Sequence, residues 1–588
     1  MSSILHKLRS KLLSPNSDLE LRFRTIYHHV NATRLAFFLK DHLSKKSTLR
    51  IKRKKGNERG IENHETLHGP LVTFILTVRP QEAKLSIRTI QSIANLTNRN
   101  WQLVILLPDE TIPEDITSQI KVDDRLIFHS ARSLALAELG GDYLVFCQAG
   151  DEFFPDLLDA FNAYYHNCPN LDLYYYDCEY FQEGQRRPTL LCKPSKVFVD
   201  FLLSVNYFSR GFIRKEFYAL KASNSNLHDP EAIEYEIALF AAQSPDKVGH
   251  IAEVLVRQKS LSQPERPELN QIVEKHLQSI GLREVSYERE FQQPHFSWAT
   301  NQDHVAIIIP TKDHPRLLQN LLSSIESTDY EDFNIYLIDN ASTDEATLTL
   351  YDQLAHRQDI QIVPFNQPFN YSRAINLGAS ESVSELMLFL NDDMQIIHPG
   401  WLRELVQWAQ RPEIGVVGTK LIRGNHTIQH AGIIMGLNAF AGHIYLNAPE
   451  KYNGLFGSVN WYRNYQALTG ACQMVRRSVF EEVGGYDEDF RLAFGDIDFC
   501  LRVQALGYRN VYTPFACMYH FEGESRGYST PISDINNAYE KFHSYLFSPD
   551  SHYSENLTLS SIPKYLKSPL SLEARKNRIE QRQQFYKK

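Results

Sequence analysis

The feature that most constrains this 588-residue chain is that its strand–helix alternation starts twice. Val72-Thr73-Phe74-Ile75-Leu76 reads as a strand and Ala83 to Leu96 as a helix. Leu103 to Leu107 and Tyr143 to Cys147 read as further strands, and Phe154 to Tyr165 as another helix. The order then returns. Val305 to Ile309 is a strand, Pro315 to Ile325 a helix, Ile335 to Ile338 and Leu386 to Leu390 strands, and Trp401 to Ala409 a helix. Strands alternating with helices predict mostly parallel sheets. A repeat of roughly 235–245 residues is too long for a solenoid and predicts duplication of a whole domain. The expected division is a basic, partly helical extension over 1–65, a first α/β unit over 66–257 and a polar connector over 258–302. A second α/β unit follows over 303–530 and a helical tail over 531–588. The connector carries a predicted helix from Leu269 to Ile280, and the tail has a basic end from Arg575 to Lys588.

Composition narrows the class. Apolar content of 43% and charged content of 22% suit a soluble globular protein. No apolar run approaches the roughly 20 residues needed to span a bilayer, and the N-terminus lacks the pattern of a cleaved secretory signal. The seven cysteines are scattered and read as buried free thiols of a reducing cytosol. A cytoplasmic location is therefore expected. The net charge of −8 conceals an asymmetry: residues 1–60 hold 15 Lys+Arg against 4 Asp+Glu, a net of +11, so the remainder carries −19. That stretch, peaking at Arg50-Ile51-Lys52-Arg53-Lys54-Lys55, is read either as a solvated leader or as a peripheral contact with anionic lipid at the inner face of the plasma membrane. In the second case each basic residue contributes about 1 kcal/mol. No nucleic-acid partner is expected, because no binding module accompanies the charge.

The chemistry gathers late in the chain. The strand Leu386 to Leu390 ends on Asn391-Asp392-Asp393, and ligands of open α/β sheets collect at the carboxyl ends of strands. Thr469-Gly470-Ala471-Cys472, Asp496-Ile497-Asp498 and His520 follow in order. Earlier pieces are Ile308-Ile309-Pro310-Thr311-Lys312-Asp313, Ile338-Asp339-Asn340-Ala341-Ser342 and Phe369-Asn370-Tyr371-Ser372 with Asn376. Gln429-His430-Ala431-Gly432 and Val483-Gly484-Gly485-Tyr486-Asp487 complete the set. In this order, residues 305–527 resemble an inverting, family 2 glycosyltransferase of the GT-A fold, of the bacterial type that builds O-antigen, rhamnan and other surface polysaccharides.

The resemblance implies two tandem GT-A-like domains and roles for named residues. Asp496 is the expected general base. Asp393 and His520 are the expected ligands of a divalent cation, Mn²⁺ or Mg²⁺, with imidazole favouring Mn²⁺. Pro310, Thr311, Asp339, Asn340, Arg373, Asn376, Asn391, Asp392, Thr469, Gly470 and Ala471 are expected around the nucleotide sugar, and Asp498 at the acceptor. This sequence departs from the family pattern twice, with Asn391 where the metal motif has its first acid and Gly495 where an acidic pair begins. The alternative for Asp496 is an N-cap of a helix from Phe499 to Leu506. The expected reaction moves a hexose or deoxyhexose from a nucleotide-diphosphate donor to a growing, lipid-linked glycan, with self-association between copies left open.

The first unit resembles the same family in Tyr174-Tyr175-Tyr176-Asp177-Cys178-Glu179, Leu190-Leu191-Cys192-Lys193-Pro194 and Ser204-Val205-Asn206-Tyr207, with altered key positions. Leu107 and Pro108 stand against Asp339 and Asn340, and Gln148-Ala149-Gly150 against Asn391-Asp392-Asp393, with Asp151 one place late. Glu234-Tyr235-Glu236 marks the base region, near His250. These changes predict a non-catalytic copy, with the alternative that a one-residue shift of the comparison restores Asp151 as a ligand and gives a second active site. The rival reading, from a different class, is a glycan-binding or scaffold protein with both units inactive. A processive polymerase is disfavoured by the lack of membrane helices and of a Gln-x-x-Arg-Trp motif.

Overall fold

The computed structural model describes residues 69–107, 116, 123–130, 139–182, 186–222, 230–263, 267–278, 282–288, 291, 293–521, 530–566 and 571–587. The basic 1–65 extension lies outside them.

The first unit forms a nine-stranded sheet from β1 (Val72–Thr77), β2 (Trp101–Leu107), β3 (Leu126–Ser130), β4 (Tyr143–Cys147), β5 (Glu152–Phe153), β6 (Leu173–Tyr180), β7 (Thr189–Leu191), β8 (Phe212–Arg214) and β9 (Val248–Gln258). A hairpin, β10 (Leu282–Glu288) and β11 (Gln293–Trp298), joins it to the second unit. There follow β12 (Val305–Thr311), β13 (Phe333–Asp339), β14 (Ile360–Pro364), β15 (Leu386–Leu390), β16 (Met394–Ile396) and β17 (Ile414–Ile422). Six short strands come next: β18 (Ile428–His430), β19 (Ile433–Met435), β20 (Ala441–His443), β21 (Asn453–Gly454), β22 (Gly457–Ser458) and β23 (Arg463–Asn464). The last two are β24 (Cys472–Arg476) and β25 (Arg509–His520).

The two sheets have one topology. Their orders are β3-β2-β1-β4-β8-β6-β9-β5 and β14-β13-β12-β15-β24-β17-β25-β16, each strand matched by its counterpart in chain order. Parallel pairs match parallel pairs, and the antiparallel insertions of β8 and β24 fall at the same place. The chain is thus two tandem α/β units of one topology. The connector's helix runs from Pro267 to Gln278, as the sequence suggests. The hairpin β10–β11 beside it has too few residues of alternating polarity to stand out.

Local sequence explains the second unit's frame. Every side chain of β15 (LMLFL) is buried, because helices cover both faces of a mostly parallel sheet. The helix Pro315–Ile325 begins on proline, whose fixed φ suits the first helical turn, and buries Leu318, Leu321, Leu322 and Ile325. All seven cysteines are free; six are buried and Cys168 is exposed. Among the described residues no helix is long and apolar enough to cross a membrane.

Buried polar bonds tie the units together. Asp200 of the first accepts from Arg509 Nε and Asn464 Nδ2, both at 2.9 Å, and Ser204 Oγ accepts from the Tyr462 amide at 2.9 Å. Asn556 of the C-terminal segment donates to Asp177 Oδ2 at 2.7 Å and to the Ala252 carbonyl at 2.8 Å. Asp200 is fully enclosed, so the Arg509 charge beside it holds its carboxyl below the usual range against the opposing effect of burial. The tail contains helices Ile532–Lys541, His543–Phe547 and Leu572–Lys587, and Asp534 accepts from the Leu492 and Ala493 amides. It therefore braces the loop that leads to Asp496.

Candidate active site

The carboxyl ends of the parallel strands β12, β13 and β15 form one rim. Thr311, the last residue of β12, is in register with Asp339, the last of β13. Asp392 and Asp393 follow β15 and are both buried. Thr311 Oγ1 donates to Asp392 Oδ2 at 2.9 Å. Burial, and then the neighbouring Asp393 carboxylate, push the Asp392 carboxyl up to about 6, against the hydrogen bond from Thr311.

A carboxyl whose native pKa is raised binds its proton more tightly folded than unfolded. It therefore contributes stability that is complete below the unfolded value near 3.8 and lost as pH rises through about 6. The donor-free protein should accordingly lose on the order of 1 kcal/mol between pH 5 and pH 7 relative to an Asp392→Asn variant. Chemical denaturation of both proteins across that range measures the difference, and parallel pH profiles would refute this environment for Asp392.

Residues far apart in the chain converge beside Asp393. The short strand β16 pairs with the end of β25, placing Met394 opposite His520. His520 Nε2 comes to 3.2 Å from Asp393 Oδ1, and both side chains are buried. His520 Nδ1 has no hydrogen-bond partner among the described residues. Asp393 and His520 form a carboxylate–imidazole pair, a donor set that fits a borderline divalent cation. Among the described residues no group of three His, Cys, Asp or Glu side chains converges as a complete metal cage. The set is two protein donors, consistent with Asn391 standing where the family motif has its first acid.

Asp496 lies across the β24 loop. Its Oδ2 accepts from the Gly470 amide at 2.8 Å and its Oδ1 from the Ile497 amide at 2.9 Å. The helix runs Gly495–Ala505, so Asp496 is its second residue and not an N-cap of a helix starting at Phe499; the residue before the helix is Phe494, at φ 70°. Tyr371 OH donates to the Gly470 carbonyl at 2.8 Å. A Cβ on Gly470 would sit 3.1 Å from Asp496 Cβ and 3.3 Å from Tyr371 OH, so glycine keeps this loop close to both. Gly495 is also closely packed: a Cβ there would meet Ser372 Oγ at 2.9 Å, so a side chain at this position would have to displace that hydroxyl.

Several expected site residues have partners within the protein. Asp498 pairs with Arg502 at 2.7 Å, and Arg502 also bonds the Val483 and Gly485 carbonyls, which braces the helix. Asp339 accepts from Ser342 Oγ at 2.5 Å and Tyr351 OH at 3.0 Å. Asn340 donates to the carbonyls of Phe365 and Gln367, shaping the loop after β14. Asn376 exchanges two hydrogen bonds with the Tyr486 backbone, and Arg373 pairs with Glu488 at 2.8 Å on the surface. Thr469, Gly470 and Ala471 line the β24 loop, and the Ala471 carbonyl accepts from the Asn391 amide at 3.0 Å. Pro310 precedes Thr311 on the rim.

Sequence reasoning left Tyr371, His430 and His443 without roles. His430 is wholly buried, and its Nδ1 lies 3.0 Å from His443 Nδ1. Burial holds His430 well below the ordinary histidine range, with His443 and His520 adding to the effect. Its signal was the Gln429-His430-Ala431-Gly432 piece, quoted for resemblance alone.

Residues 306–484 match Glycosyl transferase family 2. This segment is a family 2 glycosyltransferase domain. Its limits take in Asp393 but not Asp496 or His520, whose places rest on the geometry above. The chain is 30% identical over 520 residues to the O-antigen biosynthesis protein RfbC of Myxococcus xanthus, a match covering 84% of this chain and 40% of that protein. It is 29% identical over 548 residues to protein y4gI of Sinorhizobium fredii, covering 85% of this chain and 59% of that one. An N-acetylglucosaminyl-diphospho-decaprenol L-rhamnosyltransferase of Mycobacterium tuberculosis matches at 26% identity over 263 residues, 40% of this chain and 80% of that enzyme. The chain thus spans 59% and 40% of the length of its two long relatives.

Proposed function

We propose that the transferase domain moves one hexose or deoxyhexose, with inversion, from a nucleotide-diphosphate sugar to a growing, lipid-linked surface polysaccharide. The observation that carries this reading is the convergence of Asp393 with His520 at the carboxyl edge of the sheet, with Asp496, at the start of its helix, tied to the Gly470 loop. Asp393 and His520 would hold a divalent cation, which when bound neutralises the diphosphate leaving group.

Each other element has a task in the chain's own residues. Asp496, half-buried and fixed by the Gly470 and Ile497 amides, takes the proton of the acceptor hydroxyl. Gly470 lets the β24 loop pass beneath the donor sugar without a side chain in the way. Thr311 and Asp339 close the nucleotide end of the rim. Inversion follows if Asp496 lies across the anomeric carbon from the leaving group.

The relatives' printed roles, in O-antigen biosynthesis and in rhamnosyl transfer to a diphospho-lipid, support a lipid-linked acceptor. The test is a panel of nucleotide sugars incubated with the full chain and Mn²⁺. One donor should be hydrolysed slowly without acceptor, and EDTA should abolish its turnover. Indifference to every donor would favour the rival reading, a glycan-binding scaffold.

A further inference from the structure

The two sheets share one topology, so their rims can be compared position by position. In the second unit Asp393 immediately precedes β16; in the first, Asp151 immediately precedes β5, the matching strand. The sequence comparison set Gln148-Ala149-Gly150 against the metal motif. Strand pairing corrects it: the loop after β4 is one residue longer, and an aspartate does stand in the Asp393 position. The first unit therefore did not lose this acid.

What differs is what the acid faces. Two residues before β24 stands Gly470, whose amide is held by Asp496 on the second helix after that strand, Gly495–Ala505. Two residues before β8 stands Arg210, whose amide is held at 2.5 Å by Glu234 on the second helix after that strand, Pro230–Ala241. The same tie between loop and helix carries a glycine in one unit and an arginine in the other. The Arg210 side chain turns inward, with Nε 2.5 Å from Asp151 Oδ2 and Nη1 3.0 Å from Glu234 Oε2. All three side chains are at most 1% exposed. Arg210 adopts φ 64°, a left-handed conformation that a branched-chain or bulky residue rarely takes without compensation, and the two carboxylates supply it.

We propose that Arg210 is a built-in replacement for a divalent cation in the first unit. Its guanidinium, carried on the loop position that is Gly470 in the second unit, neutralises Asp151 in the place that corresponds to Asp393. The first unit then takes neither a metal ion nor a nucleotide diphosphate, and it stays folded as a metal-independent brace for the transferase domain through Asp200, Ser204 and Asp177. This inference rests on the reading of Asp393 only for the comparison between units; its test is separable.

The experiment counts Mn²⁺ bound per full-length chain by equilibrium dialysis with electron paramagnetic resonance, and records melting with and without millimolar Mn²⁺. Wild type should bind one ion, and Asp151→Asn should still bind one. Arg210→Ala should bind one more than wild type, melt lower without metal, and recover several degrees with it. The proposal is overturned if Asp151→Asn lowers the count, or if folded Arg210→Ala gains neither an ion nor metal-dependent stability. Should Arg210→Ala fail to fold, the Asp151→Asn count decides alone. A wild-type count of zero would remove the Asp393–His520 reading, and the Arg210→Ala gain, from zero to one, would still test this one.

Discussion

Replacing Asp496 by Asn should lower kcat for sugar transfer by about 10³-fold while leaving the affinity for the nucleotide sugar within about threefold. The substitution is chosen for what it preserves. Asn keeps a side-chain oxygen that can accept from the Gly470 amide, now met at 2.8 Å by Oδ2, so the β24 loop should hold its place under the donor. It removes the ability to take a proton, together with the second accepting oxygen, which meets the amide of Ile497 rather than the loop. A structural role for Asp496 predicts the reverse: Asn nearly normal, and Ala, which releases the loop, severely impaired. Measuring kcat and donor KM for both variants separates the two roles. Normal turnover in Asp496→Asn would end the base assignment. Tyr371→Phe adds a control, since it deletes the hydroxyl that donates to the Gly470 carbonyl and should act on donor affinity more than on kcat.

Much of the frame was legible in the sequence because its signals are local. β15 and the helices Pro315–Ile325 and Trp401–Ala409 fall where apolar runs and spacing placed them. Legibility failed where the determinant was pairing between distant segments. No local pattern says that β5 and β16 each fold back onto the last long strand, yet that pairing puts Asp151 in register with Asp393 and sets His520 beside it. The start of the Asp496 helix was misread because Gly495, a weak helix former, opens it, and its fit against Ser372 Oγ is a tertiary fact. The intramolecular partners of Asp498, Asn376 and Asp339 were equally invisible, since a carboxylate or amide in a motif looks the same whether it faces ligand or protein.

Replacing Asp393 by Ala should abolish measurable Mn²⁺ binding to the second unit and reduce turnover by about 10³-fold, the equivalent of about 4 kcal/mol of lost stabilisation of the leaving diphosphate. His520→Ala should weaken Mn²⁺ binding by at least about tenfold, because it removes the imidazole of a two-residue donor set. The two side chains are 3.2 Å apart and share one task, so their effects should not add: the double variant should match Asp393→Ala alone. This non-additivity discriminates between mechanisms. If His520 instead served only to position the Asp393 carboxylate, His520→Gln, which keeps a hydrogen-bond donor there, would restore metal affinity. If it binds the cation itself, His520→Gln should bind Mn²⁺ no better than His520→Ala. Metal titrations of the four variants distinguish these outcomes without relying on the transfer reaction. Undiminished Mn²⁺ affinity in Asp393→Ala would place the cation elsewhere or dispense with it altogether.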